Sequence, residues 1–160
     1  IIVGGGDSYR VTDLLKSKNV SVILGRTHSL PPREDDDVDL PYKLPSILAK
    51  AGINYTISMD GSWQARNLAF NAGTSAGYGL TKEEALMSIT LNPVKILGIS
   101  STTGSIEEGK DATIIKSSGD VLDMRTNHIE YAFINGREIS LDNIQKQLNQ
   151  TYQKKYGIKK

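Results

Sequence analysis

The sequence contains no cysteine, which excludes disulfides and thiolate metal sites and is compatible with any redox compartment. Net charge is almost lacking too: 19 basic side chains against 18 acidic ones leave a formal +1, so composition offers no electrostatic case for nucleic acid or an anionic membrane as partner. No apolar run approaches the ~20 residues that a membrane-spanning helix requires, and no signal-peptide pattern opens the chain; a soluble protein of unassigned compartment is expected. Histidine is scarce, with two in 160 residues. Internal repeats and low-complexity linkers are absent. An initiating Met is also missing, and Ile1-Ile2-Val3 reads as the middle of a strand, so residues preceding it are expected.

What is present has a clear order. The apolar run Ile1 to Val3 leads into Gly4-Gly5-Gly6, where the backbone can take conformations closed to other residues. Asp7 or Ser8 is placed to cap a helix with Val11, Leu14 and Leu15 on its apolar face, and Val20 to Leu24 follows as a buried-type strand. A polar link over 25–42 precedes a further amphipathic segment marked by Leu44, Ile47, Leu48 and Ala51, with Pro45 in its first turn. Gly52 stops it, Ile53 to Ser58 forms the next strand, and Met59-Asp60-Gly61 sits just past that strand's carboxyl end. Strands alternating with helices, each strand apolar enough to be covered on both faces, predict a parallel sheet with right-handed crossovers.

The clearest helix grammar lies further on. Thr81 and Glu84 are spaced as a capping box, so a helix starts at about Lys82 with Ala85, Leu86 and Ile89 on one face. Asn92-Pro93 is expected to open a second helix, with proline at its first position, and Gly98 closes it. Extended runs follow around Ser105-Ile106 and Ala112 to Ile115. Ile129 to Ile134 reads as a strand running into Asn135-Gly136, a strong hairpin signal, with Arg137 to Ile139 returning. Leu141, Ile144, Leu148 and Tyr152 recur at helical spacing, which predicts a terminal amphipathic helix over residues 142 to about 156 and a frayed basic end, KKYGIKK.

The segments YGLTKEEALMSITLNPVKILGI (78–99) and GSIEEGKDATII (104–115) together resemble the C-terminal end of the metal-dependent amidohydrolase superfamily, close to imidazolonepropionase-like members. The resemblance is strongest over residues 60–140 and looser over 1–59. It implies an α/β chain holding the last three βα units of a TIM-type (β/α)8 barrel in residues 1–98, β-sandwich strands in 99–140, and a C-terminal helix and tail in 141–160. An open three-stranded remnant would expose two sheet edges and an inner face. The expected cover is the missing N-terminal barrel half, another copy of the chain, or a rearrangement.

Reacting groups in such sheets lie at the carboxyl ends of the strands, where the loops converge. Three stretches qualify: Gly4-Gly5-Gly6, Gly25 to His28, and Ser58 to Asp60. The resemblance implies that Asp60, at the end of the eighth strand, helps bind a divalent metal, zinc being the expected ion, and takes the proton from a water bound there. The plainer alternative is an Asp-Gly turn. His28 is a candidate for substrate or metal contact, or a loop residue, and Arg66 a candidate to hold a substrate carboxylate in bidentate fashion. Trp63, Gln64 and Asn67 could line the same pocket mouth, although packing of Trp63 under the following helix is the simpler expectation. His128, before the hairpin, reads as structural or exposed.

Other features point away from complete chemistry. Zinc sites ordinarily use at least three protein ligands. The family's His-x-His pair, its Lys or Glu after the fourth strand and its histidines after the fifth and sixth have no counterpart; where the sixth-strand histidine is expected stand Gly4-Gly5-Gly6-Asp7, with Asp7 as a conceivable substitute. The run Glu34-Asp35-Asp36-Asp37, with Asp39 nearby, lacks the glycine and glutamate an EF-hand needs and reads as a solvated acidic loop. Gly4-Gly5-Gly6 matches neither phosphate-loop pattern and reads as a close-approach turn. The resulting expectation is part of a metal-dependent hydrolase of carbon–nitrogen bonds other than ordinary peptides, acting on a small-molecule substrate when complete and inactive alone. A non-catalytic, truncated or degenerate relative serving as a binding or assembly module is the alternative.

Overall fold

In the computed structural model, which describes residues 1–158, the chain is an α/β protein with two three-stranded sheets. The first is parallel, in the order β1 (Ile2–Gly4), β2 (Val22–Leu24) and β3 (Tyr55–Ile57). Register places Ile2, Val22 and Tyr55 in one row and Gly4, Leu24 and Ile57 in another on the same face. Val22, Leu24, Tyr55 and Ile57 of that face are buried with Leu15, Leu44, Leu48 and Ile53. That row pattern is why the runs behave as strands. A side-chain period of two puts β-branched and aromatic residues on one covered face.

The helices that cover this face are α1 (Thr12–Ser17), α2 (Leu40–Lys50) and α3 (Leu68–Gly77); α4 (Lys82–Met87) and α5 (Leu91–Ile96) follow α3. Helix α2 starts earlier than expected. Asp39 takes the cap position, its carbonyl accepting from Tyr42 and Lys43, and Pro41 rather than Pro45 occupies the first turn. Pro45 lies inside the helix, buried, where its missing N–H removes one ladder bond. Helix α5 likewise begins at Leu91 after Thr90, so Pro93 is its third residue, still within the first turn whose N–H groups lack intrahelical acceptors. The capping box at α4 forms as predicted: Thr81 accepts from the Glu84 N–H, and the Glu84 carboxylate accepts from the Thr81 N–H at 2.8 Å.

The second sheet is antiparallel, in the order β4 (Ile114–Ser117), β5 (Ile129–Ile134) and β6 (Arg137–Glu138). Asn135 and Gly136 both have positive φ, 49° and 76°, as a two-residue hairpin turn with matching twist requires. Ser105-Ile106 does not form a strand; Ile106 is 88% exposed and has no neighbouring strand to pair with among the described residues. The terminal helix α6 (Ile144–Tyr156) is capped by the Asn143 side chain and ends on a left-handed Gly157, so the basic segment expected to fray is helical through Tyr156. The remainder of that tail, residues 159–160, lies outside the described residues.

The two edges of the parallel sheet differ. Thr56 donates its hydroxyl to the Ser88 carbonyl at 2.7 Å, and the Ile57 N–H reaches the same oxygen at 3.2 Å, so the end of α4 covers part of the β3 edge that was expected to stand open. On the other side β1 remains an edge strand, with Ile1 68% and Val3 77% exposed.

Candidate functional site

The parallel sheet brings three loops to one end. After β3, Ser58 donates both its N–H and its hydroxyl to the Leu24 carbonyl, at 2.8 and 2.7 Å, which ties the mouths of β2 and β3 together. After β1, Gly5 adopts φ +60°, and a Cβ there would stand 2.6 Å from Val22; the glycine run is a close-approach turn, as its composition predicts. After β2, Thr27 and His28 are gripped by Asn71 of α3. The Asn71 Oδ1 accepts from the Thr27 N–H at 2.9 Å and from the His28 N–H at 3.1 Å.

Asp60 lies just past the carboxyl end of β3 and is exposed, with no hydrogen bond or ion pair to its carboxylate among the described residues. The next residue, Gly61, has φ +78°, and its carbonyl accepts from Gln64 and Ala65, so the hydrogen-bonded turn begins at Gly61 and Asp60 lies just before it rather than within an Asp-Gly turn. The turn leaves the carboxylate outside the backbone hydrogen-bonding of the loop. Met59, one residue earlier, lines an apolar cleft of about 340 Å³ with Ile57, Leu68, Ile89 and Leu97, a wall that does not include Asp60. A second cleft, of about 290 Å³, opens between the mouths of β1 and β2 and the start of α2, with Gly4, Leu24, Gly25, Leu40 and Leu44 in its wall and Arg26 beside them.

His28 is exposed, its Nε2 2.6 Å from the Thr74 hydroxyl and its ring edge-on to Tyr42 at 6.4 Å. It and Asp60 stand on adjacent strand ends without a hydrogen bond to one another. Arg66 stacks its guanidinium over the Trp63 ring at 3.9 Å. Trp63 is 64% exposed, so it does not pack under the following helix; the short loop from Asp60 carries it outward, where the cation holds its face. His128 is exposed beside the second sheet, with its carbonyl accepting from the Ser117 hydroxyl at 2.9 Å.

The acidic run is solvated as expected at Glu34, Asp35 and Asp37, and Asp36 is the exception. The Asp36 side chain is 4% exposed, with Oδ1 3.5 Å from Arg10 and within reach of the Tyr9 hydroxyl. Asp37 bonds Lys43 at 2.5 Å, and that ammonium, with the Asp39 N–H second, holds the Asp37 carboxyl below the usual range. Asp7 pairs with Arg33 at 2.9 Å and Arg10 at 3.6 Å. The run is therefore a clamp that fastens the 33–39 loop to the segment after β1. Opposite charges brought close by the fold outweigh the local preference of aspartates for water.

Asn71, Thr74 and Tyr42 were not singled out by sequence reasoning. An asparagine and a threonine within LAFNAGTSAG carry no spacing signal of their own; only the fold shows that they face the loop after β2.

The sequence profile of the amidohydrolase family matches residues 40–139. This chain belongs to the amidohydrolase family. It is 32% identical over 112 residues to the imidazolonepropionase of Flavobacterium psychrophilum, covering 64% of this chain and 27% of that protein. Over 108 residues it is 32% identical to the amidohydrolase tasK of Hapsidospora irregularis, covering 61% of this chain and 11% of that one. The crystal structure of an amidohydrolase from Thermotoga maritima MSB8 matches with a TM-score of 0.77 at 30% identity, over 87% of this chain and 36% of the other. An adenosine deaminase from Xanthomonas campestris solved with bound zinc shares the fold, at 17% identity and a TM-score of 0.59. The chain thus spans between 11% and 27% of the length of these curated relatives.

Two structures that share this fold, the adenosine deaminase and the atrazine chlorohydrolase TrzN of Arthrobacter aurescens, were solved with a divalent metal, zinc. The described residues of this chain do not fit a whole site for one: no three His, Asp, Glu or Cys side chains are grouped to hold an ion. Asp60 stands alone, and Asp7, the conceivable substitute after β1 and one strand further across the sheet, is committed to Arg33 and Arg10.

Proposed function

We propose that this chain is the closing part of a hydrolase that cleaves carbon–nitrogen bonds other than ordinary peptide links, and that it is inert by itself. Residues 1–98 are then the last three βα units of a (β/α)8 barrel, residues 99–140 contribute strands to a β-sandwich, and 141–160 form a terminal helix and tail. The five strands absent here come from preceding chain, and the exposed β1 edge is where they join. The observation that carries this reading is the position of Asp60. A carboxylate at the end of the last parallel strand, exposed and without a partner among the described residues, is free to act on a substrate at the common opening of the strands.

In this role Asp60 accepts a proton from the attacking water and returns it to the departing nitrogen. His28, on the adjacent strand end, contacts the substrate. Arg66 swings from the Trp63 ring to a substrate carboxylate, where its planar fork makes two parallel hydrogen bonds. The apolar cleft under Met59 receives the body of the substrate. Metal ligands, with zinc as the expected ion, belong mostly to the strands this chain lacks.

The test compares the 160-residue chain with a version extended at its N-terminus, by metal analysis and by hydrolysis of cyclic and acyclic amides. The extended protein is expected to bind zinc and turn over, and Asp60→Asn to lower kcat by a factor of about 10³, within the range that acid–base groups contribute. A folded, metal-free and inert extended protein would overturn the proposal.

A second reading is favoured by the Asp7 ion pairs. They occupy the group nearest to a missing ligand position, as a degenerate relative retained for binding or assembly would allow. Such a module would fold well in the extended form and stay inert there.

A further inference from the structure

The loop after β2 is held by a row of polar side chains on α3. Asn71 is 1% exposed. Its Oδ1 accepts from the N–H groups of Thr27 and His28, at 2.9 and 3.1 Å, and lies 3.0 Å from the Thr27 hydroxyl; its Nδ2 donates to the Asn67 carbonyl at 2.9 Å. Two consecutive backbone N–H groups converging on one buried oxygen fix the direction in which the His28 side chain leaves the loop.

Thr74 lies three residues further along α3, on the same face. Its hydroxyl donates to the Phe70 carbonyl at 3.0 Å and lies 2.6 Å from the His28 Nε2. A hydroxyl has one proton. With that proton on the Phe70 carbonyl, the short contact to His28 is a hydrogen bond only if Nε2 carries the proton and donates it to the threonine oxygen. In the neutral ring Nδ1 is then the bare acceptor, and it has no protein partner among the described residues.

We infer that Asn71 and Thr74 are positioning residues for His28, fixing its loop and holding the imidazole in the Nε2–H tautomer, so that Nδ1 is open to accept an N–H of the substrate at the strand mouths. This rests on the reading that the strand mouths form the substrate opening. The chemistry it selects is an amide or ring N–H close to the scissile carbonyl, rather than a fully substituted nitrogen. Thr74 sets the donor and acceptor ends of the ring without touching the substrate itself.

The experiment reads the ring nitrogens of the whole chain directly, by long-range proton–nitrogen correlation on ¹⁵N-labelled protein with His28 neutral. The chain has two histidines, so His128→Gln leaves His28 as the one imidazole in the spectrum. The expected result is a pyrrole-type Nε2 and a pyridine-type Nδ1. Thr74→Val, which keeps the shape and removes the hydroxyl, should move both shifts toward the average of mixed tautomers, and Thr74→Ser should restore them. Asn71→Ala should speed amide exchange of Thr27 and His28 at least tenfold while leaving the amide of Leu48 unchanged. A protonated Nδ1 in the parent protein, or shifts identical in the parent and Thr74→Val, would overturn the inference. Should Asn71→Ala fail to fold, the Thr74 pair of variants decides alone. No substrate or metal enters the measurement, so an inactive enzyme would refute the hydrolase reading and leave the tautomer standing, and the reverse also holds.

Discussion

Gly73 of α3 lies against the backbone of Leu122, so close that a Cβ at position 73 would overlap the Leu122 carbonyl oxygen. Leu122 belongs to the loop between β4 and β5, yet it is buried in the same core as Val22, Leu48 and Ile57. Asn127 donates to the Val121 carbonyl at 2.8 Å, and Lys82 pairs with Asp120 at 2.6 Å, so both ends of that loop are also tied down. The antiparallel sheet is thereby fastened to the parallel one through a face of α3 that carries no side chain at its closest point, with Lys82 of α4 as a second tie.

Gly73→Ala should therefore destabilise the protein. Alanine is the better helix former by about 1 kcal/mol, but here the obstacle is a backbone carbonyl that cannot rotate away. A net loss of about 1–3 kcal/mol is expected, the usual range for overpacking, read as a lower urea midpoint with an unchanged slope. A variant as stable as the parent would mean that the 118–128 loop does not rest on α3.

Leu48, fully buried beneath the parallel sheet, should be far more sensitive than Leu148 on α6, which is 47% exposed. Leu48→Ala is expected to lose about 2–5 kcal/mol and Leu148→Ala less than about 0.5 kcal/mol in the same denaturant titration. Equal effects would place α6 in the core.

The capping box makes a pH prediction. Hydrogen bonds from the Thr81 N–H, and then from its hydroxyl, hold the Glu84 carboxyl below its usual value. A folded pKa lower than the unfolded one means that this stabilisation is complete above the ordinary glutamate value of about 4.3 and is lost as pH falls through the lowered folded value. The stability difference between the parent and Glu84→Gln should thus be present at about pH 7 and shrink below about pH 4. Thr81→Ala, which removes the other half of the box, should cost about 1 kcal/mol at neutral pH. A Glu84→Gln difference that stays constant into strong acid would refute this account.

Asp60→Asn should leave the stability of this chain within about 0.5 kcal/mol of the parent, since the carboxylate is exposed and unbonded among the described residues. That invariance is the control for any loss of turnover in the extended protein. A large destabilisation would show that Asp60 holds the turn rather than serving chemistry.

Arg66→Ala should raise KM by about tenfold for a carboxylate-bearing substrate of the extended enzyme, with kcat little changed, as expected from the loss of one charge-assisted contact worth about 1.5 kcal/mol. Equal KM values for the variant and parent would leave Arg66 with only its stacking on Trp63.

Much of this was written in local pattern. The capping box at Thr81 and Glu84, the Asn135-Gly136 hairpin and the alternation of strand and helix over residues 1–58 depend on neighbours a few residues apart, and each formed as its spacing requires. Helix α3 was not legible in the same way. Its Gly73, Gly77, Asn71 and Ser75 are poor helix formers, and what keeps it helical is contact with β3, α2 and Leu122 from distant parts of the chain. The ion pairs of Asp36 and Asp37 were not legible either, because the cations that claim them, Arg10 and Lys43, arrive through loop geometry.

By itself the sequence determined most of the strands and helices, which family they belong to, and that Asp60 falls just beyond a strand end, because those outcomes follow from short-range periodicity and from motifs long enough to be specific. Only the tertiary structure decided that Asn71 and Thr74 hold His28, that Asp7 is bound to arginines rather than free to serve as a ligand, and that Gly73 must be glycine. These depend on side chains separated by tens of residues meeting at distances of a few ångströms, and no local pattern encodes such meetings.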